Sequence, residues 1–299
     1  MKMEDNMKLG RRDFARGLAL TSLGAILPSG LFALPLAKPG DGMKLGLVTY
    51  QWGKDWDVPT LIKNCTTAKI AGVELRVEHA HNVSPEMSAS QRQEVKSQFA
   101  DSPVEIIGMG TNEDYDSPDP DILRKRIERT KEFIRLSKDI GGTGVKVKPN
   151  RFHEGVPQEK TLEQIGKSLN EIGQYAADLG QVIRLEVHGK GTQELPNIKS
   201  IMDVADNPAV GVCWNCNDQD LNGEGLEYNF NLVKDRFGDT VHVRELNVGD
   251  YPYQQLMGLF VKMDYKGWIL LECRTNPEDR VAALKEQKKV FASMIKKGR

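Results

Sequence analysis

VIRLEVHG (Val182–Gly189) and its late echo GWILLECR (Gly267–Arg274) decide how this chain is read. Each is a short apolar run of strand type, and each sets a glutamate, Glu186 or Glu272, where a buried hydrophobe is expected. An ionised carboxylate is costly to bury unless a cation or hydrogen bonds compensate. Two strands ending this way point to two carboxylates converging on one site. Two unrelated strand-end glutamates are the plainer alternative, so the rest of the chain has to decide.

Outward from that pair, short apolar strands alternate with longer amphipathic stretches. The strands read as KLGLVTYQW (44–52), GVELRVEH (72–79), VEIIGMG (104–110), GVKVKP (144–149), VIRLEVHG (182–189), VGVCWNCN (210–217), VHVRELN (241–247) and GWILLECR (267–274). They recur every ~25–40 residues, which leaves room for one crossover helix each time. Leu162, Ile165, Leu169, Ile172 and Ala176 keep helical spacing in 161–179, as do Ile127, Phe133, Ile134 and Leu136 in 120–140. Gly72, Gly141-Gly142, Gly180 and Gly238 stand where helix-ending glycines belong. Eight strands alternating with eight helices give an α/β chain, a (β/α)8 TIM barrel forming a single domain over 44–297. A doubly wound open sheet would favour a glycine-rich phosphate turn after the first strand, and TYQWGKDWD offers none.

Strand alternation also sorts the polar residues. With the apolar set facing the helices, Glu74, Arg76 and Glu78 face the barrel interior, as do Lys146 and Lys148, and Arg184, Glu186 and His188. Cys213 and Asn215, His242 and Arg244, and Leu270, Glu272 and Arg274 share that face on the last three strands. Arg184 and Glu74 suit a deep structural ion-pair layer. Charge that continues to the strand ends, at the mouth where barrel enzymes place their chemistry, reads as a functional site.

The remaining bounds come from composition and the N-terminus. The 299 residues carry a formal net charge of −1, so there is no broad basic field and no nucleic-acid partner is expected. Residues 1–37 read as an export signal of the twin-arginine type: Arg11-Arg12 with Phe14, the uncharged run Gly17–Leu36, then Ala33 and Ala37 as small residues near a cleavage point. That places the mature chain in the periplasm. Pro28, Gly30 and Pro35 weaken the alternative of a transmembrane helix, so no stable membrane anchor remains after processing. Export would permit Cys65, Cys213, Cys216 and Cys273 to pair, but Cys213 and Cys273 sit in apolar strands as buried thiols. Cys213-x-x-Cys216 lacks the second half of a zinc motif.

With LEVHG, HVREL and LLECR on the fifth, seventh and eighth strands, the chain resembles the xylose isomerase-like TIM barrels, the sugar phosphate isomerase/epimerase group, over essentially all of 44–297. The resemblance implies a divalent cation (Mn, Mg or Zn) held by Glu186, Asn215, His242 and Glu272, with Glu186 and Glu272 also the catalytic proton carriers. Two positions depart from the family pattern. Asn215 stands for an aspartate, and Arg244 stands for the outer histidine of a His-x-His pair. An arginine cannot ligate a metal and repels one. Either a metal is held by the remaining ligands, with His188 or His242 supplying an imidazole, or Arg244, helped by Lys146, Lys148 or Arg274, stabilises an enolate oxygen in its place.

The expected chemistry is proton transfer next to the carbonyl of a free or oxidised sugar, by an exported isomerase or epimerase. A lyase or hydrolase of 3-keto glycosides, and a non-catalytic carbohydrate-binding barrel, are the alternatives. Lys146, Lys148, His188, Arg244, Arg274 and Trp52 are the expected substrate-binding residues, with Trp56, Tyr251 and Tyr253 as further aromatic surfaces and Trp214 pointing outward into packing. His79 and His81, and Asn217-Asp218, lie on loops near the same mouth. The partner is a small-molecule carbohydrate, and homo-oligomerisation is left open.

Overall fold

The computed structural model describes residues 37–299. The export signal expected over 1–37 lies outside the described residues, save for its last position. The strands are β1 (Lys44–Val48), β2 (Gly72–Arg76), β3 (Glu105–Asp114), β4 (Gly144–Lys148), β5 (Val182–Glu186), β6 (Val210–Asn215), β7 (Phe237–Val243) and β8 (Trp268–Leu271). Between and after them run α1 (Val58–Ala68), α2 (Ala89–Ala100), α3 (Pro120–Asp139), α4 (Gln158–Asp178), α5 (Leu195–Val204), α6 (Leu226–Val233), α7 (Tyr253–Lys262) and α8 (Arg280–Gly298). Every strand pairs in parallel with its sequence neighbour, and β8 closes on β1 in the register Lys44 to Trp268 through Leu47 to Leu271. This is the (β/α)8 barrel expected from the strand count.

Alternation along each strand divides the core in two. Leu47, Leu75, Val147, Leu185, Val212 and Leu271 face the helices, where the apolar stripes of α1, α3 and α4 cover them. Inside the barrel a smaller cluster of Val48, Ile107, Trp268 and Leu270 packs together. Arg184 joins it, fully buried, with both forks on Asp239 at 2.7 and 2.8 Å and further donations to Ile107 O and Thr143 Oγ1. A buried guanidinium is tolerated only when its donors are met in this way.

Several element boundaries differ from the sequence reading, most strands ending a few residues earlier than read. β3 runs on to Asp114, and β7 begins at Phe237 rather than Val241. Glu78 does not face inward: β2 ends at Arg76, and Glu78 sits exposed in a turn with φ 65°. Gly72 does not end α1, because Lys69 takes the left-handed cap at φ 57° and its N–H meets Cys65 O and Thr66 O. Gly72 and Gly238 lie inside strands instead. All four cysteines are buried free thiols. Among the described residues no helix is long and apolar enough to cross a membrane.

The reason for glycine at 72 is close packing. A Cβ there would fall 2.7 and 2.8 Å from the Trp268 ring and 3.0 Å from Ile107. Gly72→Val is therefore expected to destabilise the barrel by about 1–3 kcal/mol through overpacking. Thermal melting of the two proteins checks this; an unchanged midpoint would mean that Trp268 is not held against β2.

Candidate active site

The interior above this floor is ionic, and its centre is Glu186 at the end of β5. The carboxylate is 1% exposed. Lys146 Nζ lies 2.7 Å from Oε2 and also donates to Thr111 O at 3.1 Å. Asn215 Nδ2 donates to Oε1 at 2.8 Å. The alternative amide orientation would set two oxygens against each other, so the carboxylate dictates which way Asn215 points. His242, fully buried, has Nδ1 3.5 Å from Glu186 Oε1 and 3.9 Å from Glu272 Oε2, while Nε2 lies 3.2 Å from Glu74 Oε1. The Glu74 carboxylate fits because β3 carries Gly110 opposite it, where a Cβ would stand 2.6 Å from Oε1.

These contacts set the protonation states. Burial alone would raise Glu186, but Lys146 and then His242 outweigh it and hold the carboxyl well below its ordinary value. Burial likewise opposes charging His242, yet Cys213, Glu74 and Glu186 together lift it well above the usual imidazole range. Glu74 is lowered against its own burial by His242, Lys146 and Arg184. Two carboxylates and two cations, Glu74, Glu186, Lys146 and His242, thus form a buried set with no net charge. Glu272 is the odd member. Burial first, and then the charge of Glu186, push its pKa up, and its side chain is 13% exposed where that of Glu186 is 2%.

Around this centre the expected binding residues occupy the rim. Lys148 ends β4 half-buried, donates to Asn112 Oδ1 at 3.2 Å, and is lowered by burial and by Lys146. His188, two residues beyond β5, is lowered chiefly by burial, and its Nδ1 is buried with no partner. Arg244 follows β7 half-buried, with an unpartnered Nε and its backbone N–H on Tyr253 Oη at 3.1 Å. Arg274 is exposed.

The structure does not bring Trp52 to this rim. It is 2% exposed in the core, its indole N–H donating to Thr275 O at 3.0 Å. Trp56 and Tyr253 are also core residues, and Trp214 packs outward on Phe230 and Phe237. His81 is held by Arg76 O at 2.8 Å and Val83 N at 3.0 Å, and His79 by Thr49 Oγ1 at 3.3 Å.

Two functional groups escape a sequence reading. Glu245 accepts from Arg274 N, Thr275 N and Thr275 Oγ1, at 2.5–3.1 Å, and so fixes the loop that carries Arg274. Asp220 is fully buried, donated to by Tyr251 Oη at 2.7 Å and Asn217 N at 2.9 Å, and is pushed up to about 7 by burial. Both act across loops whose folding no strand periodicity encodes.

Glu186, His242 and Glu272 can each point one ligand atom into a sphere 4.8 Å across, as a metal centre would require. As paired here, the set does not fit a divalent ion. A metal on Glu186 would have to displace an ammonium and an amide N–H, whereas both ring nitrogens of His242 are buried without a hydrogen-bond partner.

Residues 62–294 match the family described as the xylose isomerase-like TIM barrel. Among solved structures, the chain is similar to 3-keto-D-glucoside 4-epimerase, YcjR, from E. coli (TM-score 0.70, 14% identity, 84% of this chain and 99% of that one). It is similar to D-allulose 3-epimerase from Methylomonas sp. (0.72, 16%, 84% and 98%) and to the IolI protein with a bound zinc atom (0.72, 14%, 86% and 99%). At these identities the likeness is one of fold. No curated protein matches the chain by sequence.

Lys146→Met would leave Glu186 buried without its cation, and is expected to lower stability by about 3–5 kcal/mol near neutral pH. Because the folded pKa of Glu186 is depressed, the pair stabilises fully above the ordinary value of 4.5 and its contribution is lost as pH falls below it. The deficit of the variant should therefore shrink on acidification. Denaturant melts at neutral and acidic pH read this directly; an equal deficit at both would show that something other than the ion pair was removed.

Proposed function

The chain belongs to the xylose isomerase-like TIM barrel family, and we propose that it is a sugar epimerase or isomerase that moves a proton beside a carbonyl at the barrel mouth. The observation that carries this reading is the split between its two strand-end glutamates. Glu186 has both oxygens engaged and is held ionised, which makes it a poor proton carrier. Glu272 makes no close ion pair, opens toward the mouth and has its pKa raised, which makes it the stronger base. Environments that drive two carboxyl groups apart in this way assign their roles.

In the proposed reaction Glu272 removes the C–H proton next to the sugar carbonyl. The bonding pair becomes a carbon–carbon double bond, and the carbonyl oxygen becomes an enediolate. Arg244 and the neutral imidazole of His188 stabilise that oxygen. Lys148 stands on β4, across the eight-stranded barrel from β8, and its lowered pKa favours donation. Returning a proton from Lys148 to the opposite face inverts the centre; returning it from Glu272 restores or isomerises the sugar. In this reading Lys146 and His242 supply the positive charge beneath the site, and no step is routed through a metal.

Two further considerations support a free or oxidised sugar as substrate. Reading the N-terminus as a twin-arginine-type export signal favours a reaction outside the cytoplasm, where phosphorylated sugars are scarce. One similar structure is a 3-keto-glucoside epimerase. The same enediolate can also eliminate a group beta to the ketone, so a lyase would share this machinery.

Solvent deuterium wash-in across a panel of ketoses and 3-keto sugars tests the proposal. Wild-type protein is expected to exchange the proton next to the carbonyl, Glu272→Gln to lose exchange by about 100-fold or more, and Lys148→Met to retain exchange while losing epimer formation. Absence of exchange in every sugar, or full exchange in Glu272→Gln, would overturn it.

A further inference from the structure

The mouth carries more positive charge than one enediolate oxygen requires. Arg76 is the last residue of β2, Lys148 the last of β4, Arg244 follows β7, and Arg274 lies three residues beyond β8. Several surface arginines elsewhere are paired, Arg92 with Asp139 at 2.7 Å, Arg124 with Glu171 at 2.7 Å and Arg129 with Glu132 at 2.6 Å, and half-buried Arg236 meets main-chain carbonyls instead. Among the described residues, none of the four mouth cations is ion-paired. Nε of Arg76 and Nε of Arg244 are buried and have no hydrogen-bond partner. A buried donor left unmet in this way is a cost that a bound acceptor would remove.

Nearby carboxylates answer them only through space, Glu186 and Asp114 acting on Lys148 and Asp220 on Arg244 without a close ion pair. Glu245 is taken by Arg274 N, Thr275 N and Thr275 Oγ1, and Asp114 faces Arg126 at 3.7 Å. Glu272 is the base of the proposed reaction and cannot also serve as a standing counter-ion. Arg76 is meanwhile held in place, its guanidinium 5.5 Å from the centre of the Tyr50 ring. Like-charge crowding is visible at Lys148, which Lys146 and Arg76 both help to lower, after burial.

Resting on the proton-transfer reading above, we infer that the substrate is an acidic sugar, whose carboxylate is bound by Arg76 with Arg274 while Arg244 attends the reacting oxygen. Planar guanidinium forks match a carboxylate. A phosphate in a barrel of this kind more often sits on helix N-termini. Here those of α1, α3 and α8 are filled by Asp57, Asp119 and Asp279, whereas those of α4, α5, α6 and α7 carry no side-chain cap, so the unmet guanidinium forks, not the helix ends, carry the choice of a carboxylate.

Calorimetric titration of the purified chain with matched probes decides the point: hexuronates and aldonates, their neutral parent sugars, and the corresponding 6-phosphates. At least one sugar acid is expected to bind about 10- to 100-fold tighter than its neutral parent, with an affinity that falls as salt rises. Arg76→Gln is expected to abolish that preference and Arg76→Lys to restore part of it; Arg274→Gln at an exposed position, judged by the same ratio, covers the case in which the Arg76 variants do not fold. No acid preference in any pair, or a preference untouched by these variants, would overturn the inference, and preference for 6-phosphates alone would overturn the carboxylate. Acid-selective binding without deuterium exchange would remove the proton-transfer reading and keep this one. Exchange confined to neutral sugars would do the reverse.

Discussion

The ion pair between Lys146 and Glu186, 2.7 Å long and closed to solvent, is the constraint from which the rest of the site follows. A buried carboxylate with an ammonium on one oxygen forces the neighbouring amide of Asn215 to present its NH2 to the other. It also favours a proton on His242 Nδ1, while Nε2 on the far side lies 3.2 Å from Glu74 Oε1 without a hydrogen bond between them. Four formal charges sum to zero in a buried space. Removing any one member leaves another unpaired in low dielectric, a far larger penalty than the pair's own net contribution. The floor beneath depends on the same logic, since Arg184 is admitted to the interior by Asp239, Thr143 and a main-chain carbonyl.

Such a balance separates two residues that are chemically identical. Glu186 is spent on holding the network, so its carboxylate stays ionised and immobile. Glu272, the residue just after β8, meets the network only at its edge, 3.9 Å from His242, and keeps its carboxyl free. The barrel does the remaining work by geometry. Parallel strands closed in sequence order set β4 opposite β8, so an ammonium and a carboxyl face each other across the mouth.

Much of this was legible in the chain itself, for a physical reason. Strand alternation has a period of two, so Glu74, Lys146, Glu186, Asn215, His242 and Glu272 could all be assigned to the interior from their apolar neighbours. The barrel followed from strand count and spacing, and the departures Asn215 and Arg244 were visible as departures. Local geometry was not legible. The left-handed cap at Lys69, the turn that throws Glu78 outward and the burial of Trp52 depend on contacts made across loops. Gly72 reads as a helix stop because its true constraint, the ring of Trp268, is distant in sequence. The division of labour between the glutamates was hidden as well, since it is fixed by which of them Lys146 reaches. Glu245 and Asp220 left no periodic signal, being loop carboxylates satisfied by main-chain N–H groups and a tyrosine.

With Lys146 and Asn215 holding both oxygens of Glu186, a divalent ion would have to displace them to bind there. Elemental analysis of the purified protein, after equilibration with manganese, zinc and magnesium and removal of free ions, measures that most directly. The account requires metal to remain substoichiometric in the wild type. A full equivalent retained by the wild type and lost in Glu186→Gln would contradict it.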